Sequence, residues 1–243
     1  MSVKRSFVLL PGLWTGAWAW VGVAQRLKRF GHDARTFTLS GLDDADVDVS
    51  HIGLTTHVDE VLAVLDKFDL HEVYLVAHSY SGIVAGMVAD RAPERVAHTV
   101  FVEAFLPHEG KSLLDAFPDR VRDYELETIE ESGGRWPPPD VTVVAEGQDL
   151  SRQQAEFLRV RMIAHPGRTI SEPVTMSQPV SKLRGTYVVC EKDHFGGRVA
   201  PEIEALRAEP SWDFRTLTTG QWPMFSNPDG LARLLADVAA DDV

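Results

Sequence analysis

The 243-residue chain is 44% hydrophobic and 25% charged, the composition of an ordinary folded domain with one large core. A formal net charge of −12 argues against nucleic acid as a partner, because polyphosphate binding relies on clustered Lys and Arg. The longest apolar runs, Val73 to Ala77 and Thr99 to Val102, fall far short of the roughly 20 residues that a membrane span needs. Met1 to Arg5 leads straight into a strand-like run rather than an apolar signal segment, and the single cysteine, Cys190, lacks Cys or His neighbours at zinc spacing. Both features fit a reducing, cytoplasmic location. Asp43, Asp44, Asp46 and Asp48 lack the glycine and terminal Glu of a calcium loop and read as a solvated turn. Neither a metal nor a cofactor is expected.

Strand and helix signals alternate from the start, the pattern of βα units feeding a mostly parallel sheet. Ser6 to Leu10 reads as a strand. Val23, Ala24, Leu27 and Phe30 follow at helical spacing and stop at Gly31, a residue suited to a left-handed helix end. Ala34 to Leu39 reads as the next strand, and Leu54, Val58, Val61, Leu62 and Leu65 as the apolar stripe of a second helix. Val73 to Ala77 is a continuous buried strand, Ile83 to Ala92 the helix after it, and Val96 to Glu103 a further strand. From about His108 to Val180 the alternation stops, giving way to short helical stretches, the Pro137-Pro138-Pro139 run and scattered aromatics. We read residues 109–180 as an inserted cap and residues 1–108 with 181–243 as the core. Strand character returns at Gly185 to Cys190 and Phe214 to Leu217, and Pro228 to Val238 closes the chain as an amphipathic helix.

The chemistry centres on Ala77-His78-Ser79-Tyr80-Ser81-Gly82, a serine between small second neighbours at the junction of a buried strand and a helix. That is the setting of a nucleophile elbow, whose tight turn tolerates only small residues beside it. Leu10-Pro11-Gly12-Leu13-Trp14, directly after the first strand, forms a turn whose Leu13 N–H, with that of Tyr80, can make a two-donor oxyanion hole.

The blocks Phe7 to Trp20, Leu75 to Gly82 and Thr219 to Pro228 resemble the small α/β-hydrolases that include plant methylesterases, hydroxynitrile lyases and bacterial xenobiotic ester and carbamate hydrolases. The resemblance covers nearly the whole chain and is weakest in the cap. It implies an α/β-hydrolase fold and a triad in the order serine, acid, histidine. Pro11-Gly12-Leu13 replaces the family's usual His-Gly-Ala, which alters side chains but spares the backbone donor. Glu191-Lys192-Asp193-His194-Phe195 resembles the acid loop, with Asp193 at the acid position and Glu103 as the alternative. The family's histidine falls 28 residues after Asp193, where this chain has Gln221 between Gly220 and Trp222.

A triad imidazole takes the serine proton and returns it to the leaving group. A neutral amide can do neither near pH 7, so the chain reads as a crippled serine hydrolase, whether from a substitution made to trap a ligand or from a natural loss with a changed role. Of the other histidines, His78 is expected to point away from the serine and His194 adjoins the acid. His32, His51, His57, His71, His98, His108 and His165 read as surface or structural. Candidate contacts to a small, mostly apolar substrate are Trp14, Tyr80, Phe117, Trp136 and Phe157, with Glu103 as a pocket residue. The expected function is hydrolysis of a small ester, carbamate or related acyl compound through an acyl-serine. The alternative is a non-catalytic ligand-binding protein or receptor on the same fold, and a lyase is disfavoured because the related lyases also use the histidine. A homo-oligomer is compatible with the sequence.

Overall fold

The computed structural model describes residues 3–193 and 196–241. In chain order its elements are β1 Ser6–Leu10, α1 Val21–Arg29, β2 Asp33–Thr36, α2 Leu54–Lys67, β3 Val73–His78, α3 Ser81–Arg91, β4 Val96–Val102, α4 Asp119–Glu131, β5 Arg135–Trp136, α5 Val141–Ala145, α6 Arg152–Arg161, β6 His165–Pro166, α7 Arg168–Ser171, β7 Gly185–Cys190, α8 Pro201–Glu204, β8 Trp212–Leu217, α9 Pro223–Ser226 and α10 Pro228–Asp241. Six strands make one sheet in the order β2-β1-β3-β4-β7-β8, and every pairing is parallel.

Parallel neighbours need crossover connections, so helices cover both faces of such a sheet. Alternate strand residues go to opposite sides. Val8, Leu10, Leu75 and Ala77 pack with Val58, Val61, Leu65, Val84 and Val88 of α2 and α3. Phe7, Leu9, Tyr74 and Val76 pack on the other face with Val23, Leu27, Leu231 and Leu235 of α1 and α10. Gly31 ends α1 with φ of 92°, the left-handed conformation that its position requires.

The chain runs from β1 to β2 on one side and then returns to place β3 on the other side of β1. In open parallel sheets the crevice at such a switch point, outside the carboxyl ends of the strands, is where ligands bind. The loops after β1 and β3 meet there. β2 is shorter than its sequence suggests because it is an edge strand whose register with β1 ends at Leu9 opposite Thr36; Leu39 is buried without belonging to the ladder.

Residues 109–180 add no strand to this sheet. They hold α4 to α7 and a two-stranded antiparallel ribbon of β5 and β6, with Trp136 opposite His165. The ends of the segment come together: Gly110 N–H donates to the Val174 carbonyl at 2.9 Å and Val174 N–H to that of Lys111 at 2.8 Å. Arg135 anchors the ribbon over the loop after β2 through the carbonyls of Gly41 at 2.9 Å and Val47 at 2.8 Å.

The first turn of α3 packs directly on the strand-to-loop junction after β4. A Cβ at Gly82 would collide with the Phe105 carbonyl and lie 2.7 Å from Ala104 Cβ. Backbone cannot yield as a flexible side chain can, so Gly82→Ala is expected to destabilise the fold by roughly 1–3 kcal/mol. Urea denaturation of the two proteins measures this directly, and an unchanged midpoint would mean that the α3 packing is looser than these distances.

Candidate active site

Ser79 ends the fully buried strand β3 and precedes α3, whose N-cap is Tyr80. Its φ is 54°, a left-handed conformation that costs a residue with a side chain on the order of 1–3 kcal/mol. The surrounding backbone imposes it. Ser79 N–H donates to the Val102 carbonyl at 3.3 Å, and its own carbonyl accepts from Gly82 and Phe105, each at 3.1 Å. The Ser81 hydroxyl donates to the Pro11 carbonyl, tying the start of α3 to the loop after β1. A Cβ at Gly12 would approach Ser79 Cβ to 3.1 Å and His78 Nδ1 to 2.6 Å, so only glycine lets the two loops touch.

The loop after β1 is held from both directions. Thr15 O–H donates to the Gly12 carbonyl at 3.0 Å and Trp20 Nε1–H to that of Leu10 at 3.0 Å. Trp14, at φ of 60°, is bound to residues 109–180 three times. Its N–H donates to His165 Nδ1 at 3.4 Å, its carbonyl accepts from Ile163 N–H at 3.0 Å, and its indole N–H donates to the Trp136 carbonyl at 3.0 Å. The Trp14 and Trp136 rings lie 4.9 Å apart, and the Trp136 indole N–H donates to the Glu125 carboxylate. Leu13 is buried.

Tyr80 follows a different course from the substrate contact expected of its side chain. Its ring is fully buried, its hydroxyl bonds His57 Nδ1 at 2.9 Å, and it packs on the His165 ring at 4.7 Å. His57 Nε2 donates to the Ser40 carbonyl at 3.0 Å, so Nδ1 is the acceptor of the tyrosine O–H. Burial holds both histidines below their ordinary range, so this knot is neutral and structural. Only the Tyr80 backbone remains in play at the elbow.

The loops after β4, β7 and β8 complete the corner. Asp193 is buried and its Oδ1 accepts from Gly197 N–H at 2.7 Å. Glu103, at φ of 43°, follows β4 and accepts from Cys190 N–H at 2.7 Å. Burial, with a carboxyl hydrogen bond and repulsion from Asp193, pushes the Glu103 carboxyl up to about 7 against the opposing pull of the Cys190 amide. Gln221 is placed by its backbone. Its N–H donates to Gln148 Oε1 at 2.5 Å, and its carbonyl accepts from His78 Nε2 at 2.8 Å, while the Gly220 N–H donates to Asp149 Oδ1 at 2.9 Å. The His78 ring, packed on Trp222 at 5.3 Å, thus staples the loop of residue 221 to the elbow.

The remaining sequence candidates separate. Phe117 packs on Phe105 at 6.2 Å beside the core that contains Tyr80 and Ile83. Phe157 lies on the exposed side of α6 with Trp18 at 5.5 Å and Phe225 at 6.1 Å, capped by the Arg161 guanidinium. His194 falls outside the described residues. The sequence reading missed Gln148, Asp149 and the bond from His78, whose partners lie more than 70 residues away in the chain and leave no local signal. Cavities of about 540 and 480 Å³ share His108, Glu109 and Glu202 and are not lined by Ser79, which is itself only 3% exposed.

Burial pushes His78 down to about 4 from 6.5. Between those values the unfolded chain takes up a proton that the folded chain refuses, so stability is fully present above about pH 6.5 and falls as the pH drops toward 4. The expected loss from this residue is on the order of 3 kcal/mol. Denaturant midpoints at pH 7 and pH 4.5 for the chain and for His78→Gln, which keeps a side-chain N–H, should show the smaller acid loss in the variant; equal losses would refute the assignment.

Comparison with known proteins places this corner in a family. Over 114 residues, 46% of this chain and 47% of the other, the sequence is 36% identical to a carbendazim hydrolyzing esterase of Nocardioides sp. (strain SG-4G); the matched stretch therefore spans about half of that relative. It is 25% identical to methylesterase 10 of Arabidopsis thaliana over 252 residues, 96% of this chain and 91% of that one. The fold superposes on an extracellular alpha/beta-hydrolase from a Paenibacillus species, described as sharing structural and functional homology with tobacco salicylic acid binding protein 2, with a TM-score of 0.84 at 21% identity, covering 96% of this chain and 98% of that one. Residues 7–234 match the family described as "Alpha/beta hydrolase family", and with the sheet order and the elbow already described, the chain belongs to that family.

Proposed function

We propose that the chain is a serine-hydrolase scaffold for a small, mostly apolar ester, carbamate or related acyl compound, with its acid–base step impaired by Gln221. The observation that carries this reading is the placement of Ser79, held at φ of 54° at the junction between a fully buried strand and a buried helix, the setting of a nucleophile elbow. The esterase names of the relatives support the ester class.

In this reading Ser79 Oγ attacks the substrate carbonyl, the amides of Leu13 and Tyr80 receive the oxyanion, the bond to the leaving group breaks to give an acyl-serine, and water then releases the acid. Each half-reaction needs a group that takes a proton from the nucleophile and gives one to the leaving group. Gln221 lacks a site for that proton, while Asp193, which would orient an imidazole, is retained. Residues 109–180 act as the cap, and Trp14 with Trp136 and Phe117 supplies aromatic surface suited to an apolar ligand. Gln221 also supports a second reading, a protein that binds such a ligand without turning it over.

Gln221→His is expected to raise hydrolysis of a panel of small activated esters and carbamates by roughly 10²–10⁴-fold, and the gain should vanish when Ser79→Ala is added. A misplacement of about 1 Å can cost on the order of 10²-fold, so a gain at the upper end would show Asp193 and the oxyanion donors still aligned. Equal, Ser79-independent rates in both proteins, together with tight binding of an unreacted ester, would overturn the hydrolase reading in favour of the binding protein.

A further inference from the structure

Three adjacent strands deliver side chains to one edge of the sheet. His78 of β3 is in register with Val102 of β4, so the next residues, Ser79 and Glu103, leave neighbouring strands at the same level, both with left-handed φ. β4 in turn pairs with β7. Glu103 N–H donates to the Val188 carbonyl at 3.0 Å, and the Glu103 carboxyl accepts from Cys190 N–H at 2.7 Å. Asp193, three residues past Cys190, donates its N–H to the Cys190 carbonyl at 3.1 Å, and its side chain is in hydrogen-bond contact with the Glu103 carboxyl. Two carboxyl groups in hydrogen-bond contact away from water cannot both stay ionised. We propose that Glu103 and Asp193 form a carboxyl pair holding a single proton, with Glu103 the donor, and that Glu103 is thereby a positioning residue for Asp193.

The groups around the pair are consistent with that assignment. Asp193 Oδ1 is engaged by Gly197 N–H at 2.7 Å. Tyr187 and Cys190 of β7 also face the pair, and both are driven toward their neutral forms by burial and by the nearby carboxyl charge. Tyr187 spends its O–H on the Ala104 carbonyl at 3.0 Å. Asp149, from the segment packed on Gly220, adds a further negative charge felt at Cys190. Burial and Asp193 raise Glu103 while the Cys190 amide opposes them, which favours a proton on the glutamate. The pair as a unit then carries one negative charge beside Ser79, as an imidazole at 221 would require.

The inference rests on the active-site assignment of this corner but not on turnover, and its test is independent of activity. In protein carrying ¹³C-labelled glutamate carboxyls, the Glu103 signal is identified by its loss in Glu103→Gln and followed from pH 4 to pH 9. A midpoint near 7 is expected, moving to lower pH in Asp193→Asn, where the neighbouring negative charge is gone. As a second readout, the folded state binds the extra proton between the ordinary glutamate range and about pH 7, so Glu103 costs stability as the pH rises through that window. The denaturant midpoint of Glu103→Gln, which retains both a donor and an acceptor, should therefore gain on that of the unaltered chain between pH 5 and pH 8. A Glu103 midpoint in the ordinary range near 4.3, or one indifferent to Asp193→Asn, would overturn the proposal, whether or not Gln221→His restores hydrolysis.

Discussion

The close approach of three backbones around Ser79 is the constraint from which the rest of this corner follows. Gly12 lies against His78 and Ser79, Gly82 lies against Ala104 and Phe105, and the Ser81 hydroxyl reaches the Pro11 carbonyl. Neither glycine contact leaves room for an added Cβ, and together these contacts hold Ser79 in its left-handed conformation. The strain is offset by the packing of β3 and α3, both almost wholly buried, so a densely packed part of the molecule holds a residue whose geometry is unfavourable by itself.

From that centre, polar contacts reach outward to segments distant in sequence. His78 joins the elbow to residue 221, Glu103 joins β4 to β7 and Asp193, and Gln148 with Asp149 joins residues 109–180 to Gly220 and Gln221. Apart from the Glu103–Asp193 contact, each bond satisfies a part-buried backbone group. Each of these loops is thus held by at least one neighbour, which explains how the corner keeps its shape with Gln at position 221.

How much of this was legible in the sequence varies with the range of the interaction. Continuous apolar runs and period-3.6 stripes located the sheet strands and flanking helices because those signals are local; β7 spans Gly185 to Cys190 as read, and α10 begins at Pro228 as read. The small residues around Ser79 pointed to the tight corner for the same reason. Tyr80 shows the limit: adjacency in sequence suggested a pocket side chain, whereas a helix start turns successive residues to different sides and sends this ring to His57 and His165. Phe157 was grouped with the other cap aromatics by composition alone, and α6 carries it to Trp18 and Phe225 instead. Glu103 was visible as a candidate acid, but its contact with Asp193 depends on the pairing of β4 with β7, which nothing within either segment encodes.

The three bonds from Trp14 to residues 109–180 tie that segment to the loop after β1. Because Ile163, His165 and Trp136 hold the residue next to Leu13, residues 109–180 brace that loop. The two ends of the segment meet at Gly110 and Val174, an arrangement in which the whole segment could be exchanged as a cassette with little disturbance to the sheet. Such an exchange would leave Trp14 unbraced unless the incoming segment supplied matching backbone partners. Variation of this segment therefore has to proceed in matched pairs, each new segment arriving with a loop after β1 that it can hold.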